Sequence, residues 1–98
     1  MSFVELMRED RRLSILEFLS RAPGGQLNIS VMQSVLKSLG HRMARSDLTD
    51  EAAWLEERGL LAREFDGAVQ LLNLTERGAD VAEGTLTVEG IRRPKFRG

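Results

Sequence analysis

The chain has 98 residues, 14 Lys and Arg, 15 Asp and Glu, one His and no Cys, for a formal net charge of −1. That is the size of one small domain with no disulfide framework, no Cys-ligated zinc and no thiol chemistry, and a single His cannot build a multi-histidine metal site. The longest uninterrupted apolar run, Ala52-Ala53-Trp54-Leu55, is far too short for a bilayer, so no membrane partner is expected. The stretch from Ser2 to Arg12 is charged where a secretory leader needs an apolar core, so a cytoplasmic protein is expected.

Ser2-Phe3-Val4-Glu5 has capping-box form and opens a helix over residues 3–21. Leu6, Leu13, Leu16 and Leu19 are its expected inward residues, with Ile15 and Phe18 beside them, and Pro23-Gly24-Gly25 stops it. A short second helix starts at Asn28 or Ser30, both suitable caps, and buries Met32, Val35, Leu36 and Leu39 before Gly40. Residues 41–45 form a turn. Ser46 is the expected cap of a third helix that runs to about Arg58 and ends at Gly59, with Asp47 and Asp50 near its positive end.

Leu60 to Phe65 and Ala68 to Leu74 flank Asp66-Gly67, a dipeptide suited to a type I′ hairpin turn. Thr75 caps a fourth helix over Glu76 to Glu83. From Thr85 onward no helical period remains, and Pro94 among four cations points to an extended tail. The chain is therefore expected to divide into a domain over residues 1–84 and a basic tail over 85–98. It is expected to be mainly α with a small β-hairpin. The order of three helices, two-stranded wing, C-terminal helix and tail describes a winged helix-turn-helix.

Leu55-Glu56-Glu57-Arg58-Gly59-Leu60-Leu61 and Leu74-Thr75-Glu76-Arg77-Gly78 resemble the end of the recognition helix and the wing exit of ArsR- and MarR-like winged-helix regulators. The resemblance covers about residues 8–83. The small size and the ending Val88-Glu89-Gly90-Ile91-Arg92-Arg93-Pro94 are similar to small winged-helix proteins of Mu-like bacteriophages and prophages. The resemblance implies a DNA-binding ancestry and does not by itself imply a transcriptional role. Double-stranded DNA is the expected partner, and a phage-type transcriptional regulator is the expected function.

Charge placement complicates that expectation. Residues 1–45 carry net +3, residues 46–66 net −5, residues 67–90 net −3 and residues 91–98 net +4. A recognition helix meets base edges with its early residues. At about 100° per residue, Leu48, Ala52, Leu55 and Gly59 face inward. Asp50, Ala53, Trp54 and Glu57 face outward, with Asp47 and Glu51 beside them. Phosphate neutralisation needs Lys or Arg, and that outward face is acidic.

The candidate DNA contacts therefore lie around it. They are Lys37, His41, Arg42, Arg45, Ser46 and Thr49 at the inter-helix turn, Arg63 on the hairpin, and Arg92, Arg93, Lys95 and Arg97 in the tail, where Phe96 can stack on a base. The helix-one arginines have a plainer use, pairing with Glu5, Glu9, Asp10 and Glu17, and the tail can simply be solvated. A competing function is a protein-interaction module of phage machinery, in which Asp50, Ala53, Trp54 and Glu57 seat a basic partner. Against it, Trp54 can be covered by the second helix or the hairpin. Phe3, Val4 and Met7 either close the core or form a homodimer seam. No nucleophile elbow, phosphate loop or metal-ligand spacing is present, so no enzyme, cofactor, catalytic residue or metal site is expected.

Overall fold

Helical periodicity accounts for most of the architecture. A computed structural model describes residues 2–95 and places α1 at Phe3–Arg21, β1 at Gln26–Asn28, α2 at Ile29–Ser38, α3 at Arg45–Glu57, β2 at Leu61–Asp66, β3 at Val69–Leu74 and α4 at Glu76–Glu83. The fold is mixed, with four helices and one antiparallel sheet. Phe96 and Arg97, two of the expected tail contacts, lie outside the described residues.

The sheet has three strands in the order β1-β3-β2, where the sequence pattern predicted two. Leu27 stands opposite Leu72, flanked by Gln26 with Asn73 and Asn28 with Leu71. A strand of three residues with one apolar member shows no alternation, so the periodicity test cannot see it.

Helix boundaries follow local chemistry. The Ser2 hydroxyl accepts from the Glu5 amide at 3.1 Å. Asn28 is the cap of α2, accepting from the Val31 amide at 2.8 Å, so Ser30 lies inside the helix. The α2 terminus closes as expected at Gly40: the Gly40 and His41 amides donate to the Lys37 and Leu36 carbonyls. Thr75 caps α4 by accepting from the Gly78 amide. Ser46 is not the cap of α3. The helix begins two residues earlier, at Arg45, Ala44 takes the cap position, and no side chain closes the first turn.

The hairpin turn also differs from its prediction. Asp66 pairs with Val69, so the two loop residues are Gly67 and Ala68. Of these two, Gly67 has positive φ, 62°, and Ala68 does not. A type I′ turn needs positive φ at both central positions, so this turn is not of that type.

The core gathers Leu13, Ile15, Leu16 and Leu19 of α1, Met32 and Leu36 of α2, Leu48 and Leu55 of α3, Leu72 of β3 and Val81 of α4. Each such side chain contributes about 1.5–3 kcal/mol by leaving water. Leu6 and Leu39, expected inside, are 53% and 52% exposed because they lie past the ends of the packed faces. Phe3 and Val4 are exposed as well, so they do not close the core. The α4 helix meets the α3–β2 junction at Gly78, where a Cβ would collide with the Leu60 carbonyl.

The chain after α4 is not free at residue 85. Leu86 and Val88 pack on the core and Ile91 is 5% exposed. The Arg92 amide donates to the Glu9 carbonyl at 3.2 Å. The folded unit therefore continues through Arg92, and the expected domain boundary at residue 84 falls inside it. Three apolar residues at irregular spacing carry this strap, and no period announces them.

Candidate functional site

The α2 helix presents Ser30, Gln33, Ser34 and Lys37 at i, i+3, i+4 and i+7, one continuous face. Arg42, Met43 and Arg45 stand opposite and close an open groove of about 390 Å³. Gln33 holds the groove together. Its amide nitrogen donates to the Met43 carbonyl at 3.0 Å, and its oxygen accepts from Arg45 Nε at 2.7 Å. No carboxylate lines the groove. Lys37, Arg42 and Arg45 are exposed and belong to no ion pair among the described residues. The uncapped first turn of α3, carrying Arg45 and Ser46, leaves backbone amides for an outside acceptor. Thr49 sits one turn further on and donates back to the Arg45 carbonyl at 2.9 Å.

The structure does not bring all the expected cations together. His41 is 3% exposed, and its Nε2 lies 2.9 Å from Asp10 Oδ2, so it is an internal residue rather than a surface contact. Asp10 Oδ1 accepts from Arg92 Nη1 at 3.0 Å, which ties Arg92 to α1. Arg63 is held by Glu56: its amide donates to Oε2 at 2.8 Å and its Nε to Oε1 at 3.1 Å. The backbone hydrogen bond is the chief reason that the Glu56 carboxyl lies below its ordinary pKa; burial opposes it, while the Arg63 side-chain bond and charge reinforce it. Arg93 and Lys95 are exposed, but they line a separate depression with Asp10, Glu17 and Glu83.

The outward face of α3 is less acidic than its sequence. Asp47, Asp50 and Glu57 are exposed. Glu51 is not: it accepts from Arg12 Nε at 3.2 Å and Nη2 at 3.3 Å, with side-chain exposures of 10% for Arg12 and 11% for Glu51. Ala53 and Trp54 are half-buried.

The Arg12 and Arg58 guanidinium carbons lie 3.7 and 3.5 Å from the Trp54 ring centroid. Two such groups cannot share one face of an indole, so each covers its own. Neither the second helix nor the hairpin provides this cover. The four-residue step from Trp54 to Arg58 was visible in the sequence. Arg12, 39 positions from Glu51, carried no local signal.

Among the described residues no group of His, Asp and Glu could hold a metal ion, and no helix is long and apolar enough to cross a membrane.

No protein-family model matches the chain, and no solved structure matches it. It is 42% identical over 78 residues to an uncharacterized protein of Haemophilus influenzae, covering 79% of this chain and 76% of that one. It is 37% identical over 93 residues to the uncharacterized protein gp26 of Escherichia phage Mu, covering 95% of this chain and 96% of the phage protein. With nearly the full length of both proteins aligned at that identity, the chain belongs to the family of the phage Mu protein gp26.

Proposed function

We propose that the chain is a winged-helix protein that binds double-stranded DNA in a Mu-like phage or prophage, acting there as a transcriptional regulator. The carboxylate-free groove between α2 and α3 carries the reading: three exposed cations and several hydroxyl and amide donors stand beside an uncapped helix start. Those are the groups that neutralise and orient phosphates. The α2–turn–α3 unit followed by the β2–β3 hairpin supplies the helix-turn-helix and wing. Asp50 and Glu57 keep α3 from deep insertion, so DNA rests on the start of α3 and on the groove rim. Arg93 and Lys95 extend the contact as a short arm.

The competing reading, a basic protein partner seated on Trp54, gains nothing from the geometry. Both faces of its anchor are already filled by Arg12 and Arg58.

A salt titration with random-sequence duplex tests the proposal. Log affinity should fall linearly with log salt, and Arg42→Ala with Arg45→Ala should lower that slope by about 2. A chain ending at Arg92 keeps Ile91 and the Asp10 contact and isolates the arm. Absence of duplex binding at low salt overturns the proposal.

A further inference from the structure

A second groove, of about 380 Å³, shares Arg42 and no other lining residue with the α2–α3 groove. Its floor is Phe3, Val4 and Met7, and Arg8, Arg11 and Arg42 stand around it. Phe3 and Val4 are 66% and 67% exposed, and Leu6, one turn from Phe3, extends the apolar surface. Contiguous exposed apolar surface rimmed by polar residues is the kind that marks an interaction site.

None of the three arginines joins an ion pair among the described residues. Arg11 Nε is buried without a hydrogen-bond partner. The groove has no carboxylate of its own. Asp10 is already engaged by His41 and Arg92. On their other side the three arginines border a depression with Asp47, Asp50 and Glu51, of which Glu51 is taken by Arg12 and the other two are in no ion pair among the described residues.

We infer that this groove docks a segment of another protein that carries carboxylates beside large apolar side chains. Charge complementarity selects the occupant: three guanidiniums outside any ion pair, beside apolar Phe3, Val4 and Met7 in a groove without carboxylates, match an acidic, amphipathic peptide. A DNA backbone would use the arginines and leave Phe3 and Val4 wet. A second copy meeting this face about a two-fold axis would set arginines against arginines. The inference does not depend on the DNA reading, because Arg8 and Arg11 lie outside the α2–α3 groove.

A random dodecapeptide display library selected on the full chain tests it. Enriched peptides should place Asp or Glu within a few residues of Leu, Phe or Trp. A synthetic winner should bind about tenfold more weakly to the Arg8→Ala/Arg11→Ala and Phe3→Ser/Val4→Ser variants, and about tenfold more weakly when its Glu and Asp are replaced by Gln and Asn. Of the four positions changed, Phe3, Val4 and Arg8 are exposed and Arg11 is half-buried, so unchanged circular dichroism and urea midpoints confirm the fold.

The inference is overturned if no peptide is enriched, if the amide analogue binds equally, or if both variants bind like the parent chain. Displacement of the peptide by random duplex makes the surface a nucleic-acid site instead. A dimer in sedimentation that Phe3→Ser/Val4→Ser dissociates makes the occupant a second copy.

Discussion

Arg12 and Arg45 carry the same side chain to opposite ends. Arg12 lies in the seam between α1 and α3, where it bonds Glu51 twice, donates to the Gly90 carbonyl at 3.1 Å and covers one face of Trp54. Arg45 lies on the α2–α3 groove with a neutral glutamine as its one side-chain partner. The seam uses its charges to join α1, α3 and the C-terminal strap. The groove holds its charges ready for something outside. A count of charges along α3 cannot tell these apart. Burial can, because a desolvated charge must be paired whereas an exposed one need not be.

The largest expected effect breaks the seam. Glu51→Ala leaves Arg12 buried without its counter-charge and should cost about 3–5 kcal/mol, read as a lower urea midpoint. Replacing both partners, Arg12→Met with Glu51→Leu, should recover most of that loss, since no charge is then stranded. Arg42→Ala and Arg45→Ala should each stay within about 0.5 kcal/mol. Equal losses from Glu51→Ala and Arg45→Ala would erase the distinction between the two regions.

A smaller effect separates the strap from the seam. Gly90 has φ 93°, and a Cβ there would lie 2.9 Å from Trp54 Cζ2 and 3.1 Å from Arg12 Nη1. Gly90→Ala should therefore cost about 1–3 kcal/mol through backbone strain and the displaced indole. Trp54 is the sole tryptophan, so its emission reports the site directly. A shift toward the wavelength of an exposed indole is expected, and unchanged emission would show that the strap does not hold the ring.

These two regions also show what could be read in advance. The α1, α2 and α4 helices, the hairpin and the inward residues of α3 followed from periodicity and caps. The turn cations Lys37, Arg42 and Arg45 were found because they neighbour one another in sequence. His41 and Glu51 were placed outward because their partners, Asp10 and Arg12, lie 31 and 39 positions away. A helical wheel sees the residue and not the element packed against it. The β1 strand escaped for a related reason: its strandness comes from β3, not from its own three residues. Long-range pairing is the part of the fold that a local pattern does not carry.

Glu56 stands between the two cases and gives the smallest effect. Its side chain is 37% exposed, yet it holds both the Arg63 amide and guanidinium. The folded carboxyl lies below its ordinary value of 4.5, so the unfolded chain binds this proton more readily. The stabilisation is then complete above about pH 4.5 and is lost as pH falls through the lowered folded value.

The urea midpoint of the parent chain should exceed that of Glu56→Gln by a constant margin from neutral pH down to about 5, and the margin should close in stronger acid. Added salt should shrink the same margin, because an exposed pair is screened. The margin between the parent chain and Glu51→Ala should resist salt better, because a largely buried pair is screened much less than an exposed one. A Glu56 margin that ignores salt would place it with the seam; a Glu51 margin that salt removes would place the seam with the surface.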